Sequence, residues 1–145
     1  MYLFIQKFHS GWAYLVLILL VVTVINAIRG FYSKTEFSAN DRKIALITLI
    51  FCHIQLLVGL ILYFQSPIGF SLIQNVGMSG LDSATRLTAV EHPFTNIIAL
   101  TLITIGWSRH KKLELSSAKF KSFMIFYGIG LILILSMIPW HIWFK

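Results

Sequence analysis

The stretch WAYLVLILLVVTVINAI, from Trp12 to Ile28, contains no charged side chain and one strongly polar one, Asn26. Counted from Gly11 it runs 18 residues. At about 1.5 Å per residue that length spans most of a hydrocarbon core of about 30 Å as a helix. It is longer than the apolar part of a signal peptide, and no small-residue cleavage site precedes Arg29, so it reads as a retained first helix.

Working outward, three more apolar runs follow. The expected helices lie at about 5–31, 41–65, 84–108 and 119–143. Asn40 is a plausible N-cap for the second, with Asp41 in its first turn, and Pro67 and Gly69 end it. The connection from Ser66 to Ser83 is broken by Gly and too short to span, so it is expected to lie back on the bundle. Pro93 is expected to kink the third helix, since a start near Glu91 would leave it at the bottom of the spanning range. The fourth is read as continuing through Pro139 into an aromatic belt of Trp140, Trp143 and Phe144, which Tyr2, Phe4 and Trp12 match at the start of the first.

Composition agrees with this class. Hydrophobic residues make up 57% of the chain and charged residues only 12%, about half the charged share of a soluble domain. The expectation is an all-α integral membrane protein, one domain over residues 1–145, folded as an up-down-up-down four-helix bundle with the lipid bilayer as its first partner. The net charge of +7 does not argue for nucleic acid, because the basic residues sit in short loops. Arg29, Lys34, Arg42, Lys43, Arg109, Lys111, Lys112, Lys119 and Lys121 flank two loops, against Lys7, Arg86 and Lys145 on the other side. Residues 32–41 and 109–121 are therefore expected in the cytoplasm and both termini outside. The lone Cys52 permits no disulfide within the chain and reads as a small buried residue.

The histidines carry what chemistry the sequence offers, because ionisable side chains at membrane depth are costly. His110 falls in a basic loop and is set aside. His53 lies ten residues from Lys43, roughly 15 Å, near mid-membrane. His92, His9 and His141 lie roughly 25–30 Å from the basic loops, in the outer leaflet. His92 shares a helical stripe with Thr88, Thr95, Asn96, Ala99 and Gly106, and His9 shares one with Ala13, Val16, Leu20, Thr23 and Ala27. Such small and polar stripes pack inward. On the second helix that stripe is Ala45, Thr48, Cys52, Gln55 and Gly59, and His53 stands about 120° away from it among leucines.

Inward histidines on separate helices of a bundle suit a b-type haem, whose iron takes two axial imidazoles. His9 with His92 is the first choice of pair and His53 with His92 the second. Arg86, near the outer end of the third helix, is a candidate partner for the haem carboxylates.

His9-Ser-Gly, His53-Ile-Gln-Leu-Leu-Val-Gly-Leu, Glu91-His92 and Ile138-Pro139-Trp140 occur together in this chain. In this it resembles a family of small bacterial four-helix membrane proteins commonly labelled cytochrome b-like, over nearly its whole length. His141 falls where that pattern has another residue. The resemblance implies His9, His53 and His92 as the haem-iron ligands and the bacterial inner membrane as the location. The expected function is relay of electrons through one haem b, to or from a quinone or a partner cytochrome, as a subunit more than a stand-alone enzyme. No second redox motif is present. The alternatives are a non-redox scaffold subunit and an outer-facing metal site built from His9, Glu91, His92 and His141.

Overall fold

The structure is a computed structural model that describes residues 1–145. It contains helices and no strand: α1 Tyr2–Tyr32, α2 Ala39–Gln65, the short α3 Phe70–Val76 and α4 Ser83–Arg86, α5 His92–His110, α6 Ser116–Ser136 and the single turn α7 Trp140–Trp143. The four expected long helices are present. Each is long and apolar enough to cross a membrane, α3 adding to the second and α4 to the third.

Their ends differ from the sequence reading in two places, and the connection after α2 differs in a third. Ser38, not Asn40, caps α2: its hydroxyl accepts the Asp41 backbone N–H, and the Asp41 carboxylate accepts the Ser38 N–H in return. This is a capping box, in which two otherwise unpaired donors are satisfied together. The Ser66–Ser83 connection is not a plain loop. It folds α3 and a turn of 3-10 helix, Met78–Gly80, and α3 packs on α2. In front of α4, Asp82 accepts the Thr85 backbone N–H at 2.8 Å, which holds the Asp82 carboxyl below the usual carboxylate range.

At Pro93 the chain leaves α-helical register through a π-helical turn at Leu87–Glu91, in which the His92 N–H reaches back to Leu87 O. Proline has no N–H to give, and its ring would strike the carbonyl four residues earlier, here Ala89; the wider turn relieves both. Pro139 acts more strongly than expected. Helix α6 stops at Ser136, and Met137–Pro139 separate it from α7. The Leu135 carbonyl, which a residue-139 N–H would have met, instead accepts the Trp140 indole at 3.2 Å.

Helix α1 packs against α2 and α6, and α5 packs against the same two. That leaves α1 and α5 diagonal across the core. The inward faces are the small and polar stripes: Val16, Leu20, Thr23 and Ala27 from α1, Ala45, Thr48 and Cys52 from α2, Ala99, Ile103 and Gly106 from α5. Close approach requires small residues. A Cβ on Gly130 of α6 would stand 2.6 Å from Ile103 Cγ1 and 3.2 Å from the Ala99 carbonyl. Polar bonds tie the helices laterally. Thr23 and Thr48 hydroxyls meet at 2.7 Å, Tyr127 OH donates to Ala45 O at 2.9 Å, and Trp12 Nε1 donates to Phe51 O at 3.1 Å.

The outward faces are apolar, with Ile18, Ile25, Leu57 and Ile132 all more than half exposed. At the basic-loop end, Phe37, Trp107, Phe120 and Phe123 form an aromatic cluster under Arg42, Lys111 and Lys119, whose cations lie 5.1–5.9 Å from the ring centres. His110 belongs to this cluster. It is not a loop residue but the last of α5, fully buried, bonded to the Trp107 carbonyl and stacked on Trp107 and Phe123.

Candidate functional site

The opposite end of the bundle, where both termini lie, holds a cavity of about 500 Å³, in the range of small-molecule and cofactor sites. Each element around it contributes by its helical register. His9 and Ala13 come from α1, Gln55 and Gly59 from α2, and His92 and Asn96 from α5, with Ile138 and Pro139 at the break after α6.

Across this cavity the His9 and His92 rings stand 6.3 Å apart centre to centre, with their planes at 85°. They sit on the two diagonal helices, so the space between them is flanked by α2 and α6. His92 is fixed. Its Nδ1 lies 2.9 Å from the Met137 carbonyl. A carbonyl only accepts, so toward Met137 Nδ1 is the donor and Nε2 keeps a free lone pair; Asn96 Nδ2, 3.2 Å from the same Nδ1, is engaged by the His92 carbonyl. The acceptor is available because of Pro139: with α6 ended, no N–H four residues on takes up Met137 O. Asn96 braces the same residue by donating to the His92 carbonyl at 2.6 Å. The π-turn ahead of His92 sets where its side chain emerges.

His9 is held differently. Its carbonyl accepts Gln55 Nε2 at 3.0 Å, but its ring Nδ1 is buried with no hydrogen-bond partner, and so is Gln55 Oε1. Two orphaned polar atoms on residues that line one cavity call for an explanation, because buried polar groups are nearly always paired. Gly59 makes the room: a Cβ there would stand 3.0 Å from His9 Cε1.

The other sequence candidates are not gathered here. His53 is exposed on the outer side of α2, its Nδ1 2.8 Å from Leu49 O, and it does not line the cavity. Arg86 pairs with Glu91 at 2.8 Å, and neither lines the cavity. His141 is exposed on α7. The alternative metal site of His9, Glu91, His92 and His141 is therefore not assembled, and no three His, Cys, Asp or Glu side chains come together as metal ligands anywhere in the chain. Arg86 holds Glu91 away, and the break after α6 leaves His141 on the far side of a new turn. Sequence reasoning missed the Met137 carbonyl and Lys7, which does line the cavity. The signal for Met137 was present in Pro139, two residues on.

No protein-family model, curated protein or solved structure matches this chain.

Proposed function

We propose that this chain is a four-helix protein of the bacterial inner membrane that holds one b-type haem between His9 and His92, in the outer leaflet, and relays electrons. Four spanning-length apolar helices with apolar outward faces support the membrane setting, because a soluble monomer rarely exposes so continuous an apolar surface. The basic loops support an up-down-up-down course with both termini outside.

The observation that carries the haem reading is the facing pair of imidazoles. With metal–nitrogen distances of about 2 Å, two imidazoles on opposite sides of one ion have ring centres about 6 Å apart. The observed separation is 6.3 Å, a spacing that would suit two imidazoles holding one iron. The donor set fits as well. His92 presents an unprotonated Nε2 because Met137 holds the other nitrogen, as the outer hydrogen bonds of metal-bound histidines generally do. His9 has a ring nitrogen that nothing in the protein satisfies.

When bound, the haem supplies one-electron redox chemistry. The protein holds the two imidazoles at fixed separation across the bundle. It lines the cavity mainly with apolar side chains, Leu100, Ile103 and Ile138 among them, which limit water. A quinone or a partner cytochrome would exchange electrons from the membrane or its outer face.

The test is haemin titration of the purified protein in detergent. The expected result is a low-spin spectrum whose Soret band shifts on reduction. His9→Ala and His92→Ala lose it, while His53→Ala keeps it. A haemin spectrum with wild-type protein no different from that in detergent alone, or a His92→Ala protein with the wild-type low-spin spectrum, would end the proposal.

A further inference from the structure

The cavity at the terminal end is lined by one charged side chain, Lys7, and by no carboxylate. The only ion pair in the chain is Arg86 with Glu91, so the Lys7 ammonium has no acidic partner. Lys7 precedes His9 by two residues and so points to a different side of α1. It shares that side with Ser10 and Tyr14, three and seven residues on. Both also line the cavity, and the Tyr14 ring packs against Trp143 of α7 at 4.5 Å. The cavity thus extends around α1 from the histidine pair to a second side of the helix, and its single cation stands on that side, about two turns from the Tyr14–Trp143 contact. Lys7 is exposed. A lysine at the rim of an apolar cavity can lay its four-carbon stem along the wall and keep its head at the water boundary. An uncharged ligand would gain nothing from such an arrangement. A flat apolar body bearing carboxylates at one edge would.

We infer that Lys7 is the carboxylate anchor of this cavity, pairing with the acidic edge of the ligand whose centre lies between His9 and His92. This rests on the haem reading and deepens it: it assigns the propionate contact to Lys7, on α1, and not to Arg86, whose guanidinium is already paired. An exposed lysine–carboxylate pair is modest in strength and sensitive to salt.

The experiment compares haemin with its dimethyl ester, which has the same ring and iron but no free carboxylates. Both are titrated into the purified full-length protein in a neutral detergent at low ionic strength. The wild type is expected to bind haemin roughly 3- to 10-fold more tightly than the ester, a margin set by one charge-assisted contact. Lys7→Met, which keeps the apolar stem, is expected to lose that preference while keeping the low-spin spectrum, and Lys7→Arg to keep both. The margin should shrink as salt is added. If haemin binds with a low-spin spectrum but Lys7→Met shows the wild-type preference, the Lys7 assignment is wrong and the haem reading stands. Loss of the preference in Arg86→Met in place of Lys7→Met also overturns it. If neither porphyrin binds the wild type, both readings fall.

Discussion

Gly59→Ala separates the site from the scaffold with a single methyl group. The added Cβ would lie 3.0 Å from His9 Cε1, where carbon atoms in ordinary contact stand about 3.5–4.0 Å apart. The His9 ring must therefore give by a few tenths of an ångström to restore ordinary contact. Retreat changes its separation from His92, now 6.3 Å. Overpacking of this kind costs about 1–3 kcal/mol. One new contact to a ring with no hydrogen bond at Nδ1 belongs at the lower end, which is roughly a fivefold loss of haem affinity. The helix itself gains. Replacing an interior glycine by alanine favours the helix by up to about 1 kcal/mol, so thermal stability should not fall. Gly11→Ala is the matched control, because nothing lies within 4 Å of a Cβ built there. The measurement is haemin titration with a parallel thermal melt of all three proteins without haem. Weakened haemin binding with unchanged or raised stability in Gly59→Ala, and normal binding in Gly11→Ala, is expected. Equal haemin affinity in all three would refute the claim that His9 is a ligand held at its limit of space by Gly59.

Two further outcomes follow from the bundle. In a double-mutant cycle of Thr23→Val and Thr48→Val, the hydroxyl pair at 2.7 Å should show a coupling of about 0.6 kcal/mol, and no more than about 1.7 kcal/mol, the range for side-chain hydrogen bonds between membrane helices; a coupling near zero in reversible unfolding would mean each hydroxyl is satisfied by its own helix backbone alone. For orientation, cysteines placed at the exposed Thr35 and Ser117 should resist an impermeant thiol reagent in intact cells and react once the membrane is opened, with the buried Cys52 silent throughout; labelling of either in intact cells would reverse the topology.

The helical class of this protein and the inward faces of its first three long helices are legible in the sequence alone. Both depend on local quantities: the length of an uncharged run such as Gly11 to Ile28, and a period of 3.6 residues that puts Thr23 with Leu20 and Ala27, or His92 with Asn96 and Ala99. The same period places His53 off the packing stripe, and the structure puts that residue on the exposed side of α2. Some local features were also present and misread. Ser38 followed three residues later by Asp41 is a capping signal, and Pro139 is a helix breaker. Only the tertiary structure decided the rest, because it concerns distances between helices that no periodicity encodes. That α1 and α5 face each other diagonally brings His9 and His92 to 6.3 Å. That α6 breaks beside α5 gives His92 the Met137 carbonyl and with it a defined tautomer. Packing of α5 against α6 buries His110 among aromatic rings at the far end, where a basic flank had made it look like loop. The pairing of Arg86 with Glu91 leaves Lys7 as the cation on the cavity. Each side chain's direction comes from its own helix; which group it meets depends on how the helices pack.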